Sequence, residues 1–157
     1  MNTDGVFGSG FDQLDIGDEF ETGYRTIASE DLAAFSDLTW DHHPVHTDPE
    51  WAANSPFGGR IAHGMLLLSY SVGLAPIDPD RVVALRAFDR VVFKRPVRIG
   101  ESIALRGKVI DLKSVDDENG LARFLWTVVN EDSRIVLRAN AEIVWRRAAP
   151  APRPVYL

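Results

Sequence analysis

Chemically reactive side chains are concentrated in one stretch of the sequence, residues 40–68. This stretch holds all four histidines of the chain and reads WDHHPVHTDPEWAANSPFGGRIAHGMLLL. Asp41 and His46 lie five residues apart with Pro44 between them. This spacing predicts a bent loop, because neighbours on one helix face are three or four residues apart. A carboxylate and an imidazole on such a loop can hold one water molecule between them and act as the acid and the base of a proton transfer.

The end of the same stretch predicts a helix that could stabilise negative charge. Gly64 is followed by residues 65–74, which are apolar on nearly every side of a helix, the pattern of a buried helix. The first N–H groups of a helix have no acceptor inside it and carry the positive end of the helix dipole. Such groups suit an oxyanion, and a glycine lets a substrate carbonyl approach them closely.

The elements before this helix are predicted from strand and capping signals. Residues 20–26 read as a first strand. Ser29, followed by two acidic residues, is predicted to be the N-cap of a helix. Asp48 is predicted to cap a second, short helix with Pro49 at its first position, ending at residues 54–56. Asp48 is therefore interpreted as a capping residue rather than as a catalyst.

After the buried helix, which Pro76 ends, the sequence becomes strand-like. Turn signals separate four predicted strands, at residues 82–93, 102–115, 121–130 and 135–146. Short connections predict that consecutive strands are antiparallel neighbours. One buried helix and a meander whose apolar face must be covered indicate an α+β fold.

Length and composition indicate one acidic domain. The chain has 157 residues, a mass of 17.4 kDa and a formal net charge of −6. We expect a flexible N-terminus at residues 1–11, a folded unit at residues 12–147 and a Pro-rich tail at residues 148–157. No basic run rises above the negative background, so nucleic acid is not an expected partner.

Several other functional classes are also disfavoured. The sequence contains no cysteine, which excludes disulfides, thiolate metal sites and a cysteine nucleophile. No signal-peptide pattern opens the chain, and its apolar stretches are too short to span a bilayer. We therefore expect a cytoplasmic protein that does not bind membranes.

The motif D-x-x-P-x-H-x-D-P, followed by F-G-G-R-I-A-H-G-M, resembles the signature of the MaoC-like (R)-specific enoyl-CoA hydratases, or hydratase 2 family. The resemblance extends over residues 12–147. It implies a single hotdog domain, in which an antiparallel sheet wraps a long central helix. It also implies a homodimer, or a dimer of dimers, with active sites at the interface. Three positions depart from the family pattern: Trp40 stands in place of Gly, His43 in place of Asn, and Val72 in place of a frequent Ser.

The resemblance assigns a role to each part of the motif. Asp41 and His46 would bind the catalytic water, and the N–H of Gly64 would polarise a thioester carbonyl. The implied reaction is the reversible hydration of a trans-2-enoyl thioester, on coenzyme A, to an (R)-3-hydroxyacyl product. No cofactor is expected, because coenzyme A belongs to the substrate and the thioester itself acidifies the α-carbon.

Further substrate contacts are expected around this core. We expect the acyl chain along the apolar helix and the coenzyme A phosphates at basic side chains. His63 is either a substrate contact or a packed residue bonded to a backbone carbonyl. The candidate substrate-binding residues are Arg60, His63, Met65, Leu67, Tyr70, Ser71, Lys94 and Arg95.

Three alternatives remain open at this stage. A hotdog thioesterase would hydrolyse the same substrates with a carboxylate, and a non-catalytic subunit would only bind acyl thioesters. A two-His, one-carboxylate metal site is a third possibility. However, His42 and His43 are adjacent and would point apart, and no histidine pair has the helical i, i+4 spacing. We therefore expect no metal, a surface position for His42 and a loop hydrogen bond for His43.

Overall fold

The computed structural model describes residues 5–152. In chain order the elements are β1 (Glu19–Glu21), β2 (Arg25–Thr26), α1 (Ser29–Thr39), α2 (Pro44–Thr47), α3 (Pro49–Ala53), α4 (Gly64–Leu74), β3 (Val82–Phe93), β4 (Ser102–Ser114), β5 (Asn119–Asn130) and β6 (Ile135–Arg146). The strands form one antiparallel sheet in the order β1-β4-β5-β6-β3, and β2 also pairs with β4. The predicted α+β class is confirmed.

Helix α4 begins at Gly64 and ends before Pro76, as predicted. Leu66, Leu67 and Leu68 are buried on successive sides of it, so the helix is covered by protein around most of its circumference. It has 11 residues, no more than α1, and is about 16 Å long at 1.5 Å per residue. None of the helices in residues 5–152 is long and apolar enough to cross a membrane.

A buried hydrogen bond ties α4 to the sheet. The indole Nε1 of Trp126, on β5, donates to Ser71 Oγ at 2.7 Å, and that hydroxyl donates to the Leu68 carbonyl at 2.6 Å. Phe124, Trp126 and Val128 alternate inward along β5, as their spacing predicts. Because each buried polar group has a partner, the contact between helix and sheet leaves no unpaired donor.

The predicted meander is correct for β4, β5 and β6 but wrong for β3. Strand β3 pairs with β6, at the far side of the sheet from β4. Residues 94–101 do not form a hairpin, because they bond instead to the segment that leads into α4. Ala62 N donates to Val97 O at 2.8 Å, and Ile61 forms a β-bridge with Arg98. This detour separates β3 from β4 and lets the sheet curl around the helix.

Two predictions about the first elements were wrong in detail. The predicted strand at residues 20–26 is split into β1 and β2. The side chain of Thr22, rather than a backbone carbonyl, accepts the hydrogen bond from Leu105 N, at 2.9 Å, and this interrupts the backbone pairing with β4. Ser29 is not the N-cap of α1, since the helix begins at Ser29 itself and Asp31 accepts from Ala28 N at 2.7 Å.

The short helix α3 agrees with its prediction. Asp48 caps it by accepting from Trp51 N at 3.0 Å, with Pro49 at the first helical position. The side chain of Asp48 is thus used in holding the chain just beyond His46, which supports its interpretation as a cap.

The predicted flexible N-terminus of residues 1–11 is wrong for residues 5–11. Phe7 is 2% exposed and packs on Phe20, with ring centroids 4.9 Å apart. Trp145 Nε1 donates to Ser9 O at 2.8 Å, which joins this segment to the last strand. The isolated aromatic residues among glycines gave no periodic signal, so their burial could not be predicted. Residues 1–4 and 153–157 of the predicted flexible ends lie outside the described range, and residues 148–152 form neither helix nor strand.

Candidate active site

Asp41 is placed by the unusual end of helix α1. Trp40 follows the helix in the left-handed conformation, with φ of 64°, and turns the chain sharply. Thr39 Oγ1 donates to Phe35 O at 2.6 Å and lies 3.3 Å from Asp41 N, which donates to it. The Asp41 carboxylate accepts from His43 N at 3.2 Å. These bonds fix Asp41 on a bent loop, as its spacing from His46 predicted.

His46 is held in one tautomer by a backbone carbonyl. It lies in the single-turn helix α2, and its Nδ1 is 2.7 Å from the carbonyl oxygen of Ile61. A carbonyl can only accept, so Nδ1 carries the proton and Nε2 is left as the basic nitrogen. His43 caps α2 by accepting from Val45 N at 3.1 Å, the ring-nitrogen loop bond predicted for it. His42 is exposed, as expected.

His63 lies beneath this pair. Its ring is 2% exposed and stacks on that of His46, with centroids 3.8 Å apart and planes inclined by 24°. Its Nε2 lies 3.0 Å from Ser36 Oγ and 3.2 Å from the carbonyl oxygen of Asp41. Burial lowers the pKa of the His63 imidazole below its ordinary value, and the nearby His46 acts in the same direction. Burial therefore favours the neutral form of this ring.

The three side chains converge on a small volume. One ring nitrogen each of His46 and His63 and a carboxylate oxygen of Asp41 all lie within 4.8 Å of one another. A single water with hydrogen bonds of about 2.8 Å can bridge groups up to about 5.6 Å apart. The same three residues form a two-His, one-carboxylate set. However, the nearly parallel rings do not aim their in-plane lone pairs at one ion about 2.1 Å from both.

A cavity of about 480 Å³ opens beside these groups. It is lined by Asp41, His46, Phe57, Ile61, Ala62, His63, Gly64, Met65, Leu67, Phe93, Lys94, Arg95, Pro96 and Val97. The first N–H that bonds inside α4 is that of Leu67, to His63 O at 3.2 Å, so the N–H of Gly64 precedes the helical ladder. A Cβ on Gly64 would lie 2.7 Å from the Phe93 ring, so any larger residue here would have to displace that ring at the edge of the cavity.

Several predicted substrate contacts are in this cavity and others are not. Met65, Leu67, Lys94 and Arg95 line it. Arg60 does not, because its guanidinium donates to Ser29 Oγ at 3.0 Å. Ser71 is used in the bond with Trp126 described above. Arg60 and Ser71 therefore do not line this cavity in the single chain, and their contact with substrate stays a prediction.

Tyr70 was also expected near the acyl chain and is instead part of a separate cluster. Its hydroxyl donates to Asp31 Oδ1 at 2.6 Å, and the Arg25 guanidinium lies 3.7 Å from its ring centroid. Partial burial and this hydrogen bond raise the pKa of Tyr70. Partial burial alone would raise the pKa of Asp31, but the bonds from Tyr70 and Ala28 and the charge of Arg25 lower it. Tyr70 therefore does not line the cavity, although Leu67, one turn earlier on α4, does.

Sequence reasoning missed Ser36 and Phe93. Ser36 is 1% exposed and lies four residues after the buried Leu32. A small polar residue on the apolar face of a helix is the signal that could have identified it, because a buried hydroxyl needs a partner. Phe93 is the last residue of β3. Its place beside the cavity depends on the path of residues 94–101, which the sequence did not predict.

Comparison with known proteins agrees with this architecture. A Mycobacterium tuberculosis protein described as having a double hotdog fold matches with a TM-score of 0.80 at 22% identity, over 99% of this chain and 48% of that chain. The molecule is thus a hotdog-fold protein, with the central helix and wrapped sheet that the motif implied.

The family follows from sequence. A family profile described as a MaoC like domain matches residues 12–129, and the chain belongs to this family of dehydratases and hydratases. It is 33% identical over 105 residues to the 3-hydroxybutyryl-CoA dehydratase of Methylorubrum extorquens, covering 65% of this chain and 64% of that protein. It is 33% identical over 100 residues to the (R)-specific enoyl-CoA hydratase of Aeromonas caviae, covering 64% of this chain and 74% of that protein.

The buried neutral state of His63 predicts a pH-dependent stability. The unfolded chain takes up a proton at His63 near pH 6.5, whereas the folded chain, with its lowered pKa, takes it up only at a lower pH. The folded state therefore loses stability as the pH falls below about 6.5, by up to about 1.4 kcal/mol per pH unit from this group. We expect the melting temperature of His63→Gln to fall less than that of the unmodified protein between about pH 7.5 and 5. His42→Gln, at an exposed site, should follow the unmodified protein; equal pH slopes for both variants would contradict the prediction.

The left-handed conformation of Trp40 predicts that glycine is more stable than alanine at that position. A Cβ there costs about 1–2 kcal/mol, while the indole itself is 86% exposed and contributes little by burial. Trp40→Gly should therefore be more stable than Trp40→Ala by about 1 kcal/mol, the reverse of the order inside a helix. Chemical denaturation of the two variants measures the difference. A Trp40→Ala protein as stable as Trp40→Gly would show that the strain is absent.

Proposed function

We propose that this protein catalyses the reversible hydration of a trans-2-enoyl thioester, on coenzyme A, to the (R)-3-hydroxyacyl thioester. One observation carries the proposal: an Asp–His pair, in which His46 Nδ1 is bonded to a backbone carbonyl and Nε2 is left for proton transfer, meets the N-terminus of helix α4 in a single cavity. The names of the relatives, a 3-hydroxybutyryl-CoA dehydratase and an (R)-specific enoyl-CoA hydratase, support the same reaction class.

The chemistry follows from these groups. A water held between Asp41 and His46 attacks C3 of the enoyl group, and His46 Nε2 takes one of its protons. Negative charge passes to the thioester oxygen, where the N–H of Gly64 and the helix dipole stabilise it. The Asp–His pair then delivers one proton to C2, so that the elements of one water molecule are added overall. The proposal needs no cofactor, because the thioester supplies the electron sink.

A single assay tests the proposal against its alternatives. Crotonyl-CoA is incubated with the protein, and the enoyl absorbance and free thiol are followed together. Hydration removes the absorbance without releasing thiol, and chiral analysis of the product should give the (R)-3-hydroxyacyl form. Release of thiol would identify a thioesterase. Binding without any turnover would identify a non-catalytic acyl-thioester subunit.

Removal of either proton-transfer group should abolish most of the activity. We expect Asp41→Asn and His46→Ala each to lower kcat by about two to four orders of magnitude while the melting temperature stays close to normal. His42→Ala is the matched control, since this exposed histidine lies in the same segment but does not line the cavity. Near-normal turnover by folded Asp41→Asn would disprove the mechanism.

The end of strand β3 offers a site for the phosphates of coenzyme A. Lys94 lines both the main cavity and an adjoining depression of about 280 Å³ that also includes Arg90 and Arg138. None of these three cations forms an ion pair within residues 5–152. Arg95, the other predicted contact, donates to Ile135 O at 2.7 Å. In this acidic protein, a group of free cations beside the cavity favours an anionic ligand end there.

Loss of these cations should affect binding more than chemistry. Lys94→Ala, Arg95→Ala and Arg138→Ala should each raise the KM for crotonyl-CoA about three- to tenfold with kcat nearly unchanged, because a remote phosphate is bound alike in ground and transition states. The reaction of a pantetheine thioester, which lacks the nucleotide, should be unaffected. Lys113→Ala, at an exposed lysine on β4, is the control. Equal losses on both substrates would show that the cations support the fold or the chemistry instead.

We also propose that the protein forms a homodimer through strand β3. This strand is an open edge of the sheet, 12 residues long. Val83, Leu85, Val92 and Phe93 along it are between 41% and 49% exposed. A long apolar edge is a template for pairing with another chain. Because Phe93 also lines the cavity, such a dimer would place the site beside the interface, and a further pairing could give a dimer of dimers.

A charge on this edge should prevent assembly. Light scattering of the unmodified protein at micromolar concentration should give the mass of two 17.4 kDa chains or a multiple of it. Leu85→Arg should shift the protein to the monomer, because a charge would be buried in an apolar contact. Val115→Arg, at a position that is 55% exposed on the turn after β4, should leave the mass unchanged. A monomeric unmodified protein would contradict the proposal.

A further inference from the structure

The buried imidazole of His63 joins parts of the site that are distant in the sequence. It precedes Gly64 directly, and Phe35 on α1 packs edge-on against it with ring centroids 4.9 Å apart. Its Nε2 reaches Ser36 on the same helix and the main-chain carbonyl of Asp41. With the stacking on His46, this one ring contacts both members of the proposed acid–base pair.

The hydrogen bonds of His63 define its tautomer. The Asp41 carbonyl can only accept, so Nε2 carries the proton and donates it, shared between this carbonyl and Ser36 Oγ. Nδ1 is then unprotonated. It is buried and has no hydrogen-bond partner among residues 5–152. A proton added at Nδ1 would place an unpaired charge in a buried site, which is costly.

This arrangement has a consequence for proton transfer at His46. When His46 takes a proton from water, its ring becomes positive while it lies 3.8 Å from the ring of His63. A second cation at this distance would oppose the transfer, whereas a neutral ring does not. Exposure of 2% also leaves His63 little surface with which to touch a substrate.

We propose that His63 and Ser36 form a positioning pair, which holds the Asp41 backbone and the His46 ring at the spacing the reaction requires. This inference rests on the proposed hydration activity. The pair acts through Asp41 and His46 rather than on the substrate. Ser36 fixes the rotation of the imidazole, the Nε2–H fixes the loop that carries Asp41, and the ring face supports His46.

The proposal is tested by kinetics of three variants. Ser36→Ala removes the bond that orients the ring. His63→Phe keeps a ring but loses the donor, and His63→Gln keeps a donor near the place of Nε2. We expect Ser36→Ala and His63→Phe to lower kcat on crotonyl-CoA about 10- to 100-fold with little change in KM, the usual result of misplacing catalytic groups. His63→Gln should recover part of kcat relative to His63→Phe. The control is Ser102→Ala, which removes a comparably buried serine whose hydroxyl bonds Thr26 at 2.8 Å, away from the cavity.

A double-mutant cycle separates positioning from simple support of the fold. In the His46→Ala background, Ser36→Ala should lower the residual kcat by a clearly smaller factor than in the unmodified protein, because only one of the two groups that the pair positions, Asp41, is still present. Ser102→Ala should lower the melting temperature without lowering kcat. The same kcat loss for Ser36→Ala in both backgrounds would overturn the proposal. So would a raised KM with normal kcat, which would make His63 a substrate contact.

Nitrogen NMR of the imidazole rings gives a measurement that does not depend on activity. His63 should be neutral, with the proton on Nε2, between about pH 7 and 8, and its signals should change in Ser36→Ala. A cationic ring or an Nδ1–H tautomer in this range would overturn the inference even if the enzyme is active. An unmodified protein that does not hydrate crotonyl-CoA would instead overturn the proposed function, and the NMR result would still decide the arrangement of His63.

Discussion

The structure depends on the need to cover the apolar sides of helix α4. Because Leu66, Leu67 and Leu68 point in successive directions around the helix, one flat sheet cannot bury them all. The sheet therefore curls, with Trp126 bonded to Ser71 on the helix. Helix α1 contacts α4 through the bond of Tyr70 to Asp31, and Met65 and Ser69 remain exposed on the uncovered side. Asp41 and His46 lie at the N-terminal end of α4, in the cavity that Gly64 also lines.

The order of elements was predictable where local signals agree with tertiary packing. The bounds of α4 and of strands β3 and β6 follow from apolar runs, turn residues and Pro76, and the packing of the core reinforces each. The pairing of β3 was not predictable. Hairpin reasoning assumes that a short connection joins neighbours, whereas residues 94–101 bond to the segment before α4 and carry β4 to the other side.

The candidate site likewise combines residues that the sequence identifies with contacts that it does not. Asp41, His46 and Gly64 could be identified because their spacing is a long motif, and the structure brings them to one cavity. The contacts that hold these three residues in place could not be identified from the sequence. Whether Tyr70 faces a cavity or Asp31 depends on the rotation of α4, and the role of Ser36 depends on a ring 27 residues away. Contacts of this kind are set by how helices pack, which no short stretch of sequence records.

The first and last segments of the described fold touch each other. A Cβ on Gly10 would lie 2.2 Å from the carbonyl oxygen of Arg147, and the Arg147 guanidinium pairs with Asp12. A short peptide could therefore connect these two segments, and the chain could be opened instead at the exposed turn of residues 115–118. We expect such a circular permutant to keep the strand pairings, because residues 115–118 lie between β4 and β5 and belong to neither strand. The fold is thus specified by which surfaces meet, and the site does not require the elements to be linked in their present order.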